Sequence, residues 1–168
     1  MTKHFGMRFL FVMTAGLAIA GCGGSEPISA ERYVGTDQLV SIIGENIASS
    51  AKFSKVVDID HSRLAQEVGS VMPPANVLIF SDPALESQLI KLNPLVALDL
   101  PLRVLAFEDV GDSASKVIYN SFDFLTSRYQ LDPNASKSLR GKYNQAMSEV
   151  TKGVSPAAMS SFSNDEMK

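Results

Sequence analysis

Three places in the chain hold residue types suited to chemistry. Asp60-His61 puts a carboxylate beside the only histidine downstream of the first 21 residues, and an imidazole titrates near neutral pH. As an acid–base pair these two would serve a hydrolase or another enzyme. As structure, Asp60 caps the following helix and His61 sits in its first turn. Glu108-Asp109, with Asp112, offers paired carboxylates for proton transfer or for a hard cation, and reads equally as a solvated hairpin tip. Arg103 stands in an otherwise apolar strand, where it leans out, pairs with Asp99 or Glu108, or binds an anionic ligand. Tyr119 is suited to hydrogen-bond a ligand or to half-bury itself in a strand. With Asp82 these groups make one candidate ligand cleft: Asp60, His61, Asp82, Asp99, Arg103 and Tyr119.

No catalytic residue, cofactor or metal is expected beyond that. One cysteine, Cys22, allows no internal disulfide and no cysteine-based metal cluster. A metal would need carboxylates or a site shared across a dimer. Haem ligation through His61 lacks a second axial residue, and Met147 and Met159 are too sparse for copper. There is no G-x-S-x-G, no serine–histidine–acid order and no phosphate-cradling loop. The formal charge is −3, without the basic footprint of a nucleic-acid binder.

The elements that must position these residues follow from periodicity. Leu39, Val40, Ile43, Ile47 and Ala51 recur at helical spacing behind Thr36 or Asp37 as a cap, predicting a helix over 37–51. Phe53, Val57 and Ile59 alternate with polar residues, predicting a strand with one buried face. A helix with Leu64, Ala65 and Val68 on one side then runs to Gly69. Val77 to Phe80 is apolar on both faces and reads as an interior strand. Asp82-Pro83 and Asn93-Pro94 each pair a cap with a proline at the first helical position, steering a helix carrying Leu85, Leu89 and Ile90 and then a short turn over 95–98. Leu102–Asp109 and Lys116–Asn120 read as an antiparallel hairpin. Ser121 caps a helix with Phe122, Leu125 and Tyr129. Asp132-Pro133 opens a last one with Leu139, Tyr143, Ala146, Met147 and Val150 on one face, ending at Gly153.

The N-terminus has a different character. Lys3, His4 and Arg8 precede an apolar run from Phe9 to Ala20, which is shorter than the about 20 residues that span a bilayer and fits a signal peptide. Ile19-Ala20-Gly21-Cys22 resembles the bacterial lipobox. That resemblance implies cleavage after Gly21 and lipid attachment at Cys22, with multiple acyl chains for stable anchoring. Gly23 after the cysteine favours an outer membrane, facing the periplasm, in a Gram-negative cell. The chain thus divides into a signal peptide over 1–21, a tether over 22–31, one domain over 32–153 and a disordered tail over 154–168.

Five motifs resemble, in order, those of the family called domain of unknown function 302: Ile59-Asp60-His61, Met72-Pro73-Pro74, Phe80-Ser81-Asp82-Pro83, Ala97-Leu98-Asp99-Leu100-Pro101-Leu102 and Tyr119-Asn120. They span Leu39 to Leu131. Ser81-Asp82 departs from the family's Gly-Asn. The resemblance implies an α+β fold of TATA-binding-protein-like topology, an antiparallel sheet with helices packed on one face, a homodimer, and no particular activity. The sequence therefore points to an exported, lipid-anchored protein of the cell envelope, with the membrane, a small-molecule ligand and a second copy as partners and no nucleic acid. Non-catalytic ligand binding or an accessory role ranks first; an enzyme using Asp60-His61, or a structural dimer, is the alternative.

Overall fold

The computed structural model describes residues 29–159. Four strands, β1 (Ser54–Asp60), β2 (Ala75–Ser81), β3 (Leu102–Phe107) and β4 (Lys116–Ile118), form an antiparallel meander in the order β1-β2-β3-β4. Helices α1 (Ala30–Ser49), α2 (His61–Glu67), α3 (Pro83–Leu92), α4 (Phe122–Arg128) and α5 (Pro133–Val150) surround it, with a 3-10 turn over Pro94–Asp99. The class is α+β, as the interleaved periodicities predict.

Strand register separates the two faces of the sheet. Phe80 lies opposite Leu102, Leu78 opposite Val104, and Ala106 opposite Val117. All six are buried, together with Ile43 and Ile47 of α1 and Met147 and Val150 of α5. Each large side chain taken from water here contributes about 1.5–3 kcal/mol. Successive strand residues point to opposite faces, so Val77, Ile79, Leu105, Phe107 and Ile118 look out on the other side. All of these are only half-buried.

Short polar residues start four of the helices as the sequence predicts. Asp82, Asp132 and Ser121 accept from the backbone N–H three residues on, at 3.0, 2.7 and 3.0 Å. Asn93 accepts from the Leu95 N–H at 2.9 Å and starts the 3-10 turn. Each such bond satisfies a donor that the helix itself leaves free.

Five expectations need correction. Helix α1 starts at Ala30 rather than near 37, so Thr36 is buried inside it and Asp37 is not a cap but a partner of Arg63 at 2.8 Å. Strand β1 is an edge strand with Val56 and Val57 exposed and an irregularity between Lys55 and Val57. Its alternation therefore does not mark a buried face, although Phe53 just before it is buried edge-on against Phe80. Helix α2 buries Ser62, whose hydroxyl accepts from the Ala75 N–H, while Leu64 and Val68 face solvent. The hairpin strands are shorter than the expected 102–109 and 116–120. Finally, part of the tail is built into the sheet. The Val117 N–H donates to the Ala158 carbonyl at 2.8 Å, and Met159 bridges Val117 in parallel. The signal peptide over 1–21, Cys22, most of the tether and residues 160–168 lie outside the described residues.

Candidate functional site

A groove of about 390 Å3 opens on the half-buried face of the sheet, within the roughly 300–1,000 Å3 range of small-molecule sites. Its floor is one side chain from each of three neighbouring strands, Val77, Leu105 and Ile118, which the register places side by side. Phe124 of α4 adds a wall. Asp99, Arg103, Tyr119 and Asn120 supply the polar groups. Asp99 comes from the end of the 3-10 turn, Arg103 from β3, and Tyr119-Asn120 from the segment joining β4 to α4.

The polar groups are unequally committed. Asp99 accepts from the Tyr129 hydroxyl at 2.5 Å and pairs with the Arg128 Nε at 3.3 Å, with the Asn120 amide at 3.5 Å. Burial, then the bond to Asp99, pushes the Tyr129 hydroxyl above its usual pKa, so it stays a donor. Arg103 differs from the expected pairing, because neither Asp99 nor Glu108 forms an ion pair with it. One terminal nitrogen reaches the Leu98 carbonyl at 3.5 Å, and its Nε is buried without an acceptor. A guanidinium has five donors, so most of this one's capacity is unspent within the described residues.

Tyr143 underlies the site. Fully buried on α5, it donates from its hydroxyl to the Asn120 carbonyl at 2.5 Å. Burial, then the neighbouring Tyr119 and Asp99, raises its pKa strongly, so it too remains a donor and fixes the β4–α4 corner.

Three of the six candidate residues thus meet: Asp99, Arg103 and Tyr119. Asp60 and His61 stand apart, at the end of β1 opposite Asn76, while Asp82 follows the opposite end of β2. Asp60 caps α2 through the Arg63 N–H at 2.8 Å and also accepts from the Ser62 hydroxyl and the Arg63 guanidinium. Burial alone would raise its pKa, but these bonds outweigh it and hold the carboxyl below its usual value. His61 is exposed. Asp82 caps α3 beside a separate cavity with Lys52, Gln88 and Lys142. The acidic trio disperses into ion pairs: Glu108 with Arg32 at 3.1 Å, and Asp109 and Asp112 with Lys116. Among the described residues no three histidine, cysteine or acidic groups converge as a metal site would require.

Sequence reasoning missed Asn120, Phe124, Tyr143 and the three floor residues. The alternation Arg103-x-Leu105 is a local sign that those two share a face. Nothing local ties Val77 or Tyr143 to them, since register and helix packing bring them there.

Residues 30–150 match the model of the family described as "Domain of unknown function DUF302". The chain belongs to the DUF302 family. Its fold is similar to that of an uncharacterized conserved DUF302 protein from Bacillus stearothermophilus, with a TM-score of 0.57 and 16% identity over 69% of this chain and 88% of the other. Curated relatives include "Fluoride-specific ion channel FluC 1" of Brucella suis biovar 1 (strain 1330) and "Fluoride-specific ion channel FluC 2" of Brucella melitensis biotype 1. Each is 29% identical over 99 residues, 57% of this chain. The DUF302 chain spans only 39% and 36% of those proteins. No helix among its described residues is long and apolar enough to cross a membrane.

Proposed function

We propose that this DUF302 protein is an exported envelope lipoprotein, held by lipid on Cys22, whose domain binds a small molecule in the sheet-face groove without transforming it. The observation that carries the binding part is the groove itself: an apolar floor built by three strands, bordered by polar groups on a rigid frame. Binding is preferred to acid–base catalysis because Asp60 is already spent on its own helix and on Arg63. The anchoring part rests on the lipobox-like Ile19-Ala20-Gly21-Cys22 alone. The match to channel-named relatives adds a second reading for the cell, an accessory role beside an ion-transporting protein, since no helix among the described residues is long and apolar enough to cross a membrane.

Native mass spectrometry on full-length protein from its own host tests the first reading. A non-covalent small-molecule adduct is expected on the wild type and not on Leu105→Trp, which fills the floor. Wild-type protein that is bare under conditions preserving other complexes overturns it. For the anchor, labelled palmitate is expected in the wild type and not in Cys22→Ser; equal labelling of both rejects lipidation at that residue.

A further inference from the structure

The groove's charge arrangement specifies a ligand class, and the argument rests on the groove being a binding site. Arg103 is the one polar group there with a full charge and no ion-pair partner among the described residues. Its neighbour Asp99 is the nearest source of compensation on the same wall, but its oxygens already serve Tyr129, Arg128 and Asn120. A buried Nε–H without an acceptor is costly to leave unpaired, and the planar fork of the guanidinium matches a carboxylate's two oxygens. The remaining surface, Val77, Leu105, Ile118 and Phe124, is hydrocarbon and demands an apolar body on the same molecule.

The count of charges narrows the class further. Asp99 lines the same groove with its side chain 13% exposed but is already paired with Arg128 at 3.3 Å, so the charge of Arg103 alone is left to be matched. A dianion such as a free phosphate monoester would meet Asp99 with one charge uncompensated. A cation would meet Arg103. We infer that the groove takes a monocarboxylate with an apolar tail, its carboxylate on Arg103 and its tail across Val77, Leu105 and Ile118. Tyr119 and Asn120, at the polar end, are placed to add hydrogen bonds to the same head group.

Octanoate, 1-octanol and inorganic phosphate are the probes, titrated into methyl-labelled full-length protein and followed by the methyl signals of Val77, Leu105 and Ile118. Octanoate is expected to shift these signals saturably and to bind about tenfold or more tightly than octanol, as a charge-assisted pair would give; phosphate is expected to shift none. In Arg103→Gln the preference for octanoate over octanol should vanish while octanol still binds. Arg103→Lys should keep part of the preference, which separates loss of charge from loss of fold. Equal binding of octanoate and octanol by the wild type, or a preference that survives Arg103→Gln, overturns the ligand class and leaves the groove standing. Phosphate shifting the same methyls at a pH where it is doubly charged overturns the single-charge argument. If neither octanoate nor octanol moves those methyls, the groove reading itself fails, and a dimeric protein with that result makes the face a subunit contact.

Discussion

Asp60 shows how one side chain can look catalytic and be structural. It sits beside a histidine, yet its two oxygens are taken by the Arg63 N–H, the Ser62 hydroxyl and the Arg63 guanidinium. A carboxylate whose folded pKa is depressed stabilises above its unfolded pKa and loses that contribution as pH falls through the folded one. Asp60→Asn keeps the capping oxygen and removes the charge, so it should cost about 0.5–1 kcal/mol at pH 7, the scale of a partly exposed ion pair. Urea unfolding of both proteins should show the difference shrinking below pH about 4 and vanishing once Asp60 is protonated. A difference that does not change with pH would mean that the carboxylate's charge plays no part. Local sequence shows the capping role, because cap and capped N–H are three residues apart. The pair of Arg63 with Asp37 depends on how α1 lies beside α2, and only the folded chain shows it.

At the level of elements, α1 and the β3–β4 hairpin approach closely at Gly35. A Cβ there would stand 2.3 Å from the Ser115 Oγ and 3.2 Å from its Cβ, and that hydroxyl bonds Glu108 at 3.2 Å. Alanine raises intrinsic helix propensity by about 1 kcal/mol over glycine, but here it must push Ser115 off Glu108. Gly35→Ala should therefore destabilise by about 1–2 kcal/mol, and in a Ser115→Gly background, which already lacks the hydroxyl and its bond to Glu108, the same change should cost little. Equilibrium unfolding of the two variants decides, and a stabilised single variant would refute the close approach. The elements themselves were largely legible: the cap-proline pairs at Asp82, Asn93 and Asp132 act locally and fall where the sequence puts them. The start of α1 was not, because Tyr33 and Thr36 break no periodic rule and become core residues only through what they pack on. Nor was the exposure of β1 legible, since alternation does not tell an edge strand from a covered one. The groove shares that fate. Val77 and Ile79 read as buried on both sides, and the open face appears only once every helix has been placed.

For the whole molecule, the last described residues matter more than their polar composition suggests. The Ala158 carbonyl and Met159 cover part of the β4 edge and help bury Val117, which is fully inaccessible. Truncation after Val154 should remove a sheet hydrogen bond and an apolar contact, costing about 1–3 kcal/mol, read as a lower midpoint in urea; an unchanged midpoint would show the bridge to be idle. The two ends of the sheet also differ in what they carry. Arg32, in the first turn of α1, holds Glu108 just past the end of β3, whereas Arg103 stands near its start. Five residues of extended chain separate them, roughly 17 Å. A support gripping the polypeptide ahead of Ala30, whether a bilayer or a sensor chip, takes hold near the Glu108 end of β3, so immobilisation by that terminus is expected to keep Arg103 at the far end of the strand from the support.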